Sequence, residues 1–280
     1  MQLTVTDDMD SYQDALGELV MDGKTVALVP TMGALHGGHM ALIKQAKELA
    51  DAVVVSIFVN PKQFGPHEDF AKYPRMLEQD LRAIDEAGAT IAYTPGVEDL
   101  YPEGFTTGIS AGQISTILEG ASRPGHFDGV ATVVTKLLLR TLPHVAIFGE
   151  KDYQQLCVIR RIARDLDLTV DIVGAPTVRE ADGLALSSRN AYLMPQQRAI
   201  APKLHETLRL ASHEIKAGKP VLAVLEQGVA VLDAAGFKVD YLELRENDTL
   251  DKIEQWQGDA RLLVAATLGT TRLIDNIEMD

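Results

Sequence analysis

The chain has little of three things: cysteine, basic charge and unbroken apolar sequence. A single cysteine, Cys157, excludes an internal disulfide. Its neighbours Leu156, Val158 and Ile159 mark it as a buried small apolar residue rather than a nucleophile. Lys and Arg number 26 against 40 Asp and Glu, leaving a net charge of −14 over 280 residues. That balance argues against a sequence-independent nucleic-acid surface, which needs clustered basic side chains. No apolar run approaches the ~20 residues that span a bilayer. The opening MQLTVTDDMD lacks the basic and apolar regions of a secretory signal, so the expectation is a cytoplasmic protein with neither a membrane nor a nucleic-acid partner. No internal repeat or low-complexity tract is visible. What is present is 46% hydrophobic residues, enough to fill one large core or two moderate ones.

The apolar residues fall into alternating patterns. Val26 to Val29 reads as a strand covered on both faces and ended by Pro30, and Ala52 to Val59 (AVVVSIFV) as a second. Helices are expected over Gln13–Val20, Met40–Ala50, Met76–Ala87, Val130–Leu142 and Tyr153–Leu166, with further strands at Thr90–Tyr93, Val145–Phe148 and Leu168–Val173. Strands alternating with helices imply an α/β fold with a parallel sheet and right-handed crossovers. The glycine-rich stretch 94–129 reads as an excursion from that sheet. Beyond Pro176 the order changes to a loop over Val178–Arg189, two long helices (Gln196–Ala217 and Val221–Ala235) and strands at Val239–Leu244 and Arg261–Ala266. This predicts a first domain over 1–176 and a smaller α+β domain over 177–280.

Three polar clusters sit at predicted strand ends, where doubly wound sheets bind ligands. They are Thr31–His39, Asn60–Phe64 (NPKQF) and Gly149–Gln155 (GEKDYQQ). His36 and His39, three apart, face the same way at a helix N-terminus, where unpaired N–H groups and the dipole favour an anion. Read plainly they are a helix cap and a surface imidazole. Gly37 and Gly38 between them permit close backbone approach by a ligand, and HGGH lacks the i, i+4 spacing and glutamate of a helical zinc site, so no protein-held metal is expected. Lys151 and Asp152 read either as a surface ion pair or as partners for phosphate and ribose. Asn60, Gln63 and Gln155 are neutral amides able to hold the hydroxyls and carboxylate of a small substrate without neutralising its charge. Ser187, Ser188 and Arg189 in LALSSRN read as a turn or as a phosphate clamp. Arg123 and His126 in GASRPGHFDGV belong equally to a lid or a scaffold. Trp256 reads as a packing residue.

The segments VPTMGALHGGH, SIFVNPKQF, LEGASRPGHFDGV, FGEKDYQQL, DGLALSSRN and RLIDN, running from Val29 to Asn276, resemble the pantothenate synthetase family in order and over nearly the whole chain. More broadly, HGGH resembles the HIGH element of nucleotidylyltransferases, and LSSRN stands where their KMSKS loop does. The resemblance implies a Rossmann-like first domain, a C-terminal lid domain and a homodimer. It also implies ATP with Mg2+ as substrate, converting pantoate to an acyl adenylate that the amine of β-alanine attacks. Carried over by position, Met32, Gly33, Ala34, Leu35, His36, Gly37, Gly38 and His39 would line the ATP site. His36 and His39 would lie on the phosphates, with His39 as proton donor. Gly149, Glu150, Lys151 and Asp152 would meet ribose and phosphates, Val178 the adenine, and Leu186, Ser187, Ser188 and Arg189 the triphosphate. Gln63 and Gln155 would hold pantoate, Gln63 also lying near β-alanine. The catalytic set is then His36, His39, Lys151 and Arg189. Position 37 is Gly where the family often has another residue, which touches only local loop rigidity. Two rivals are a nucleotidylyltransferase that stops at an adenylated product and a nucleotide-binding regulatory module without turnover.

Overall fold

The structure, a computed structural model, describes residues 2–65 and 70–280. Its contacts divide the chain into two compact units, Met1–Glu150 with Gln155–Pro176, and Lys151–Gln154 with Thr177–Asp280.

The first unit is built on strands β1 (Thr4–Thr6), β2 (Val26–Thr31), β3 (Ala52–Ile57), β4 (Ile91–Tyr93), β5 (Val145–Gly149) and β6 (Asp171–Ala175). They form one parallel sheet in the order β1-β4-β3-β2-β5-β6. Helices α1 (Met9–Met21), α2 (Gly37–Leu49), α3 (Leu77–Ala87), α4 (Val97–Leu100), α5 (Glu119–Ser122), α6 (His126–Thr141) and α7 (Tyr153–Asp165) lie between and after the strands. The central strands bury both faces: Ala27, Val29, Val53, Val55 and Ile147 share one cluster with Ile43 and Ala46 of α2 and Ile84 of α3. Strand order reverses at β2, which pairs β3 on one side and β5 on the other. The carboxyl ends of β2, β3 and β5 therefore meet at a topological switch point, the place where open α/β sheets bind ligands.

Three details differ from the sequence expectation. Pro30 does not end β2, which continues to Thr31. Thr31 accepts from Phe58 N on the β3 side, so by alternation the Pro30 nitrogen faces β5. There the ladder has already ended at Leu28↔Ala146, and no N–H is required. The sixth strand begins at Asp171 rather than Leu168, because Asp167 is left-handed and Leu168 sits in the turn that follows. β1, only three residues long, is too short to show a period.

The second unit packs α8 (Pro195–Ile200), α9 (Lys203–Lys216) and α10 (Val221–Ala234) with an antiparallel sheet, β7 (Phe237–Glu246), β8 (Ala260–Leu268) and β9 (Thr271–Met279). Leu204, Leu208 and Leu232 from the helices meet Leu244, Leu262 and Val264 from the strands in its core, with Trp256 packed at the edge. The helix expected from Gln196 to Ala217 is two helices, since Pro202 has no N–H to continue the first. β9 was not anticipated; it pairs along its whole length with β8 after the two-residue turn at Gly269 and Thr270. No helix among the described residues is long and apolar enough to cross a membrane.

Candidate active site

In the first unit the loop leaving β2 is fixed from below. Thr31 Oγ1 donates to the Ser56 carbonyl at 2.8 Å and accepts from Gly33 N at 3.3 Å. Gly33 has φ +82° and Ala34 φ +51°, a left-handed pair that turns the chain sharply. The N–H groups this turn leaves over are met by Asp80 of α3, only 2% accessible, whose Oδ2 accepts from Ala34 N at 2.9 Å and Oδ1 from Leu35 N at 2.8 Å. A Cβ on Gly33 would stand 3.0 Å from Asp80 Oδ2, so a side chain there would crowd the brace.

The turn delivers His36 and His39 to the start of α2. His36 is the N-cap and its Nδ1 accepts from Gly38 N at 3.1 Å; His39 Nδ1 accepts from His36 N at 3.2 Å. Each imidazole thus closes a helix-start N–H, in the reciprocal manner of a capping box. The rings lie 4.2 Å apart between centroids. A ring nitrogen that accepts carries no proton, so both neutral rings hold their proton on Nε2. The N–H groups of His36 and Gly38, expected to meet an anion directly, are thus taken by the imidazoles, and the attraction for a phosphate lies in the two Nε2–H donors and the positive end of the helix dipole.

Beyond β3, Asn60 and Gln63 form a second fixed element. Asn60 is 1% accessible, and all its capacity is used: Nδ2 donates to Gln63 Oε1 at 3.1 Å and Gly129 O at 3.0 Å, and Oδ1 accepts from Lys62 N at 3.2 Å and Tyr101 Oη at 2.8 Å. Burial pushes the Tyr101 hydroxyl up, keeping it a donor. The donors and acceptor of the Asn60 amide are thus all engaged within the chain, and one of these bonds orients Gln63. Gln63 Nε2 donates to Met32 Sδ at 2.8 Å, a weak acceptor, and its second N–H has no partner among the described residues. Arg123 and His126 lie against Gln63: His126 Nδ1 is 2.8 Å and Arg123 Nη2 3.4 Å from the Gln63 carbonyl, with the two side chains 3.0 Å apart. Helix α6 comes so close here that a Cβ on Gly129 would stand 2.2 Å from the Lys62 carbonyl oxygen. Gln155 is half-buried on α7, the helix that also buries Cys157. Gly149 ends β5, and Glu150 packs its side chain against Gly174 of β6.

In the second unit Lys151 and Asp152 are 3.5 Å apart, the lysine largely covered and the aspartate half exposed. Val178 accepts from Leu186 N at 2.9 Å, closing a short hairpin with the bridge Arg179↔Ala185 and a turn at Gly183. Asp275 holds this hairpin: its two carboxylate oxygens accept from Arg179 Nη1 at 2.7 Å and Nη2 at 2.9 Å. Ser187 caps the turn Ser188–Tyr192, its Oγ accepting from Arg189 N at 3.3 Å. Asn190 Nδ2 donates to Ala185 O, tying that turn to the hairpin. Arg189, at the start of that turn, is half-buried.

Within the first unit, then, the structure joins His36 to His39, Met32 to Gln63 and Asn60 to Gln63. Within the second it joins Lys151 to Asp152, Val178 to Leu186 and Ser187 to Arg189. Sequence reasoning missed Asp80, Asp275, Asn276 and Arg261. The signal for Asp80 was a charge four residues before Ile84, the other buried position of α3.

The family model described as Pantoate-beta-alanine ligase matches residues 4–278. The pantothenate synthetase of Paramagnetospirillum magneticum is 56% identical over 260 residues, 92% of each chain. The crystal structure of pantothenate synthetase from Thermus thermophilus superposes with a TM-score of 0.93 at 46% identity over 99% of both chains. That of a pantoate-beta-alanine ligase from Francisella tularensis, complexed with beta-gamma ATP and beta-alanine, gives 0.84 at 36% identity over 99% of this chain and 98% of that one.

Proposed function

The chain belongs to the pantoate-beta-alanine ligase family, and from that premise we propose how its own residues carry out the condensation of pantoate with β-alanine at the expense of ATP. The structural observation that carries the reading is the shared tautomer of His36 and His39. With both Nδ1 atoms engaged by helix-start N–H groups, both Nε2 atoms are donors, beside a helix N-terminus.

A carboxylate is a poor acyl donor, because its leaving group would be an oxide. Attack of a pantoate oxygen on the α-phosphorus of ATP expels pyrophosphate and leaves an acyl adenylate, whose leaving group is AMP. The amine of β-alanine then adds to the acyl carbon and AMP departs, giving pantothenate. In the first step negative charge builds on phosphate oxygens, where His36, His39, Lys151 and Arg189 would donate; His39 supplies the proton-bearing contact. Gln63 and Gln155 hold pantoate through uncharged amides, so its carboxylate keeps its nucleophilicity, and their main contribution is orientation. Met32 to Leu35 supply backbone to the nucleotide, Gly37, Gly38, Gly149, Glu150 and Asp152 line its ribose and phosphates, and Val178 its base. Leu186, Ser187 and Ser188 complete the triphosphate contacts.

ATP enters as its Mg2+ complex. The described residues hold no group of three or more His, Cys, Asp or Glu side chains poised for a metal. In this reading the ion is carried in on the nucleotide's phosphates, as Mg2+ commonly is. The assembly in this reading is a homodimer in the cytoplasm. Incubating the purified protein with ATP, Mg2+, pantoate and β-alanine tests it: AMP and amide form in equal amounts. A stable adenylated product without amide would favour the nucleotidylyltransferase, and tight ATP binding without pantoate-dependent pyrophosphate release a regulatory module.

A further inference from the structure

The segment RLIDN is left without a task by the chemistry above, yet its last two residues are buried polar side chains in the middle of β9. Asp275 holds the hairpin that precedes Leu186. Asn276 reaches in the other direction: its Nδ2 donates to the carbonyl of Lys151 at 3.0 Å, and its Oδ1 accepts from Arg261 Nη1 at 2.7 Å. Arg261, on β8, is 4% accessible; its guanidinium carbon lies 3.7 Å from the centre of the Tyr153 ring. The sheet therefore grips residues 151–153 twice, once by the backbone of Lys151 through Asn276 and once by the ring of Tyr153 through Arg261. Fixing both sides of Asp152 in this way restricts where the Lys151 stem can start, and a cationic stack of this closeness gains from burial.

Resting on the reading that Lys151 meets the phosphates, we infer that Asn276 is a positioning residue for adenylation: it aims Lys151 by holding its carbonyl, with Arg261 fixing the orientation of the Asn276 amide. It does not touch substrate. Replacing it leaves Lys151 in place chemically but loosens its backbone, and a small misplacement of a transition-state donor is costly in rate.

The test is a double-mutant cycle between Asn276→Ala and Lys151→Ala, read as pantoate-dependent exchange of labelled pyrophosphate into ATP. In the wild-type background Asn276→Ala should slow exchange about 10-fold, the scale of one lost positioning hydrogen bond, with the KM for pantoate unchanged. In the Lys151→Ala background it should change the rate by less than about twofold, because the group it aims is gone. An equal loss in both backgrounds, the mark of a merely structural role, overturns the inference, as does an unchanged wild-type-background rate. If Asn276→Ala fails to fold, Asn276→Asp keeps the acceptor for Arg261 and removes the donor to Lys151, and is read by the same two criteria. Absence of exchange in the wild-type protein would instead overturn the ligase reading on which this rests.

Discussion

Nδ1 of His39 accepts the backbone N–H of His36 at 3.2 Å, and this one bond gives the second histidine both a structural and a chemical task. The two tasks separate by mutation. In His39→Asn the amide oxygen can take the place of Nδ1 and keep the cap, but nothing replaces the Nε2 donor. Pyrophosphate exchange should fall on the order of 10^2-fold with the midpoint of thermal unfolding little changed. His39→Ala should lose the same activity and also about 0.5–2 kcal/mol of stability, as capping losses do. An Asn variant retaining more than about a third of the wild-type rate would contradict the assignment of His39 as donor.

Asp80 is the support of the turn that precedes these histidines. Asp80→Asn leaves one carboxamide oxygen for two N–H groups and sets an N–H donor against the other. A buried donor without an acceptor costs about 1–3 kcal/mol, measurable by urea unfolding. Because Gly33 to Leu35 loosen, the KM for ATP should rise while that for β-alanine stays the same. Equal urea midpoints for the two proteins would show that the turn holds its shape without the carboxylate.

Arg179 and Asp275 form an ion pair in the second unit, with the aspartate buried and the arginine partly covered. Asp275→Ala leaves the guanidinium only the carbonyls of Gly183 and Asn276 as acceptors and should cost up to about 3 kcal/mol, whereas Asp275→Leu combined with Arg179→Met should recover most of it. Adenylation need not recover in the double variant, since the hairpin leading to Leu186 then has no anchor. A double variant as unstable as the single one would show that the pair does more than neutralise itself.

His205 adds a pH dependence. Burial lowers its pKa below the ordinary 6.5, with Arg179 and Arg209 acting in the same sense against the opposing Asp275. The unfolded chain therefore binds this proton more readily than the native one, so its contribution is complete above about pH 6.5 and is lost as the pH falls further. Unfolding midpoints taken from pH 7 down to pH 5 should decline less steeply for His205→Gln than for the wild type. Parallel slopes would remove His205 from the account.

What could be read in advance was whatever depends on local pattern. The β-branched runs at Val26, Ala52 and Val145 announced buried parallel strands, and HGGH, NPKQF and GEKDYQQ fell at their carboxyl ends, where the fold puts a ligand. What could not be read depended on partners far along the chain. Asp80 looked like a solvated charge on an amphipathic helix until its two N–H partners, some 45 residues earlier, were known. β9 escaped because Asp275 and Asn276 are buried polar residues that break the alternation a strand ordinarily shows, and they are buried only because Arg179, Arg261 and Lys151 answer them. Asn60 had the right chemistry for substrate, and only the structure shows that its amide is already committed.

In the adenylation mechanism a carboxylate oxygen of pantoate becomes bonded to the α-phosphorus of ATP, and everything assigned to the donors depends on that bond. Pantoate carrying heavy oxygen in its carboxylate, turned over with ATP and β-alanine and followed by mass spectrometry, tests this directly. One heavy oxygen should appear in the AMP for each pantothenate formed, the other remaining in the amide carbonyl. AMP formed without the label would mean that the carboxylate never attacked the nucleotide, and the roles of His36, His39, Lys151 and Arg189 in adenylation would fall.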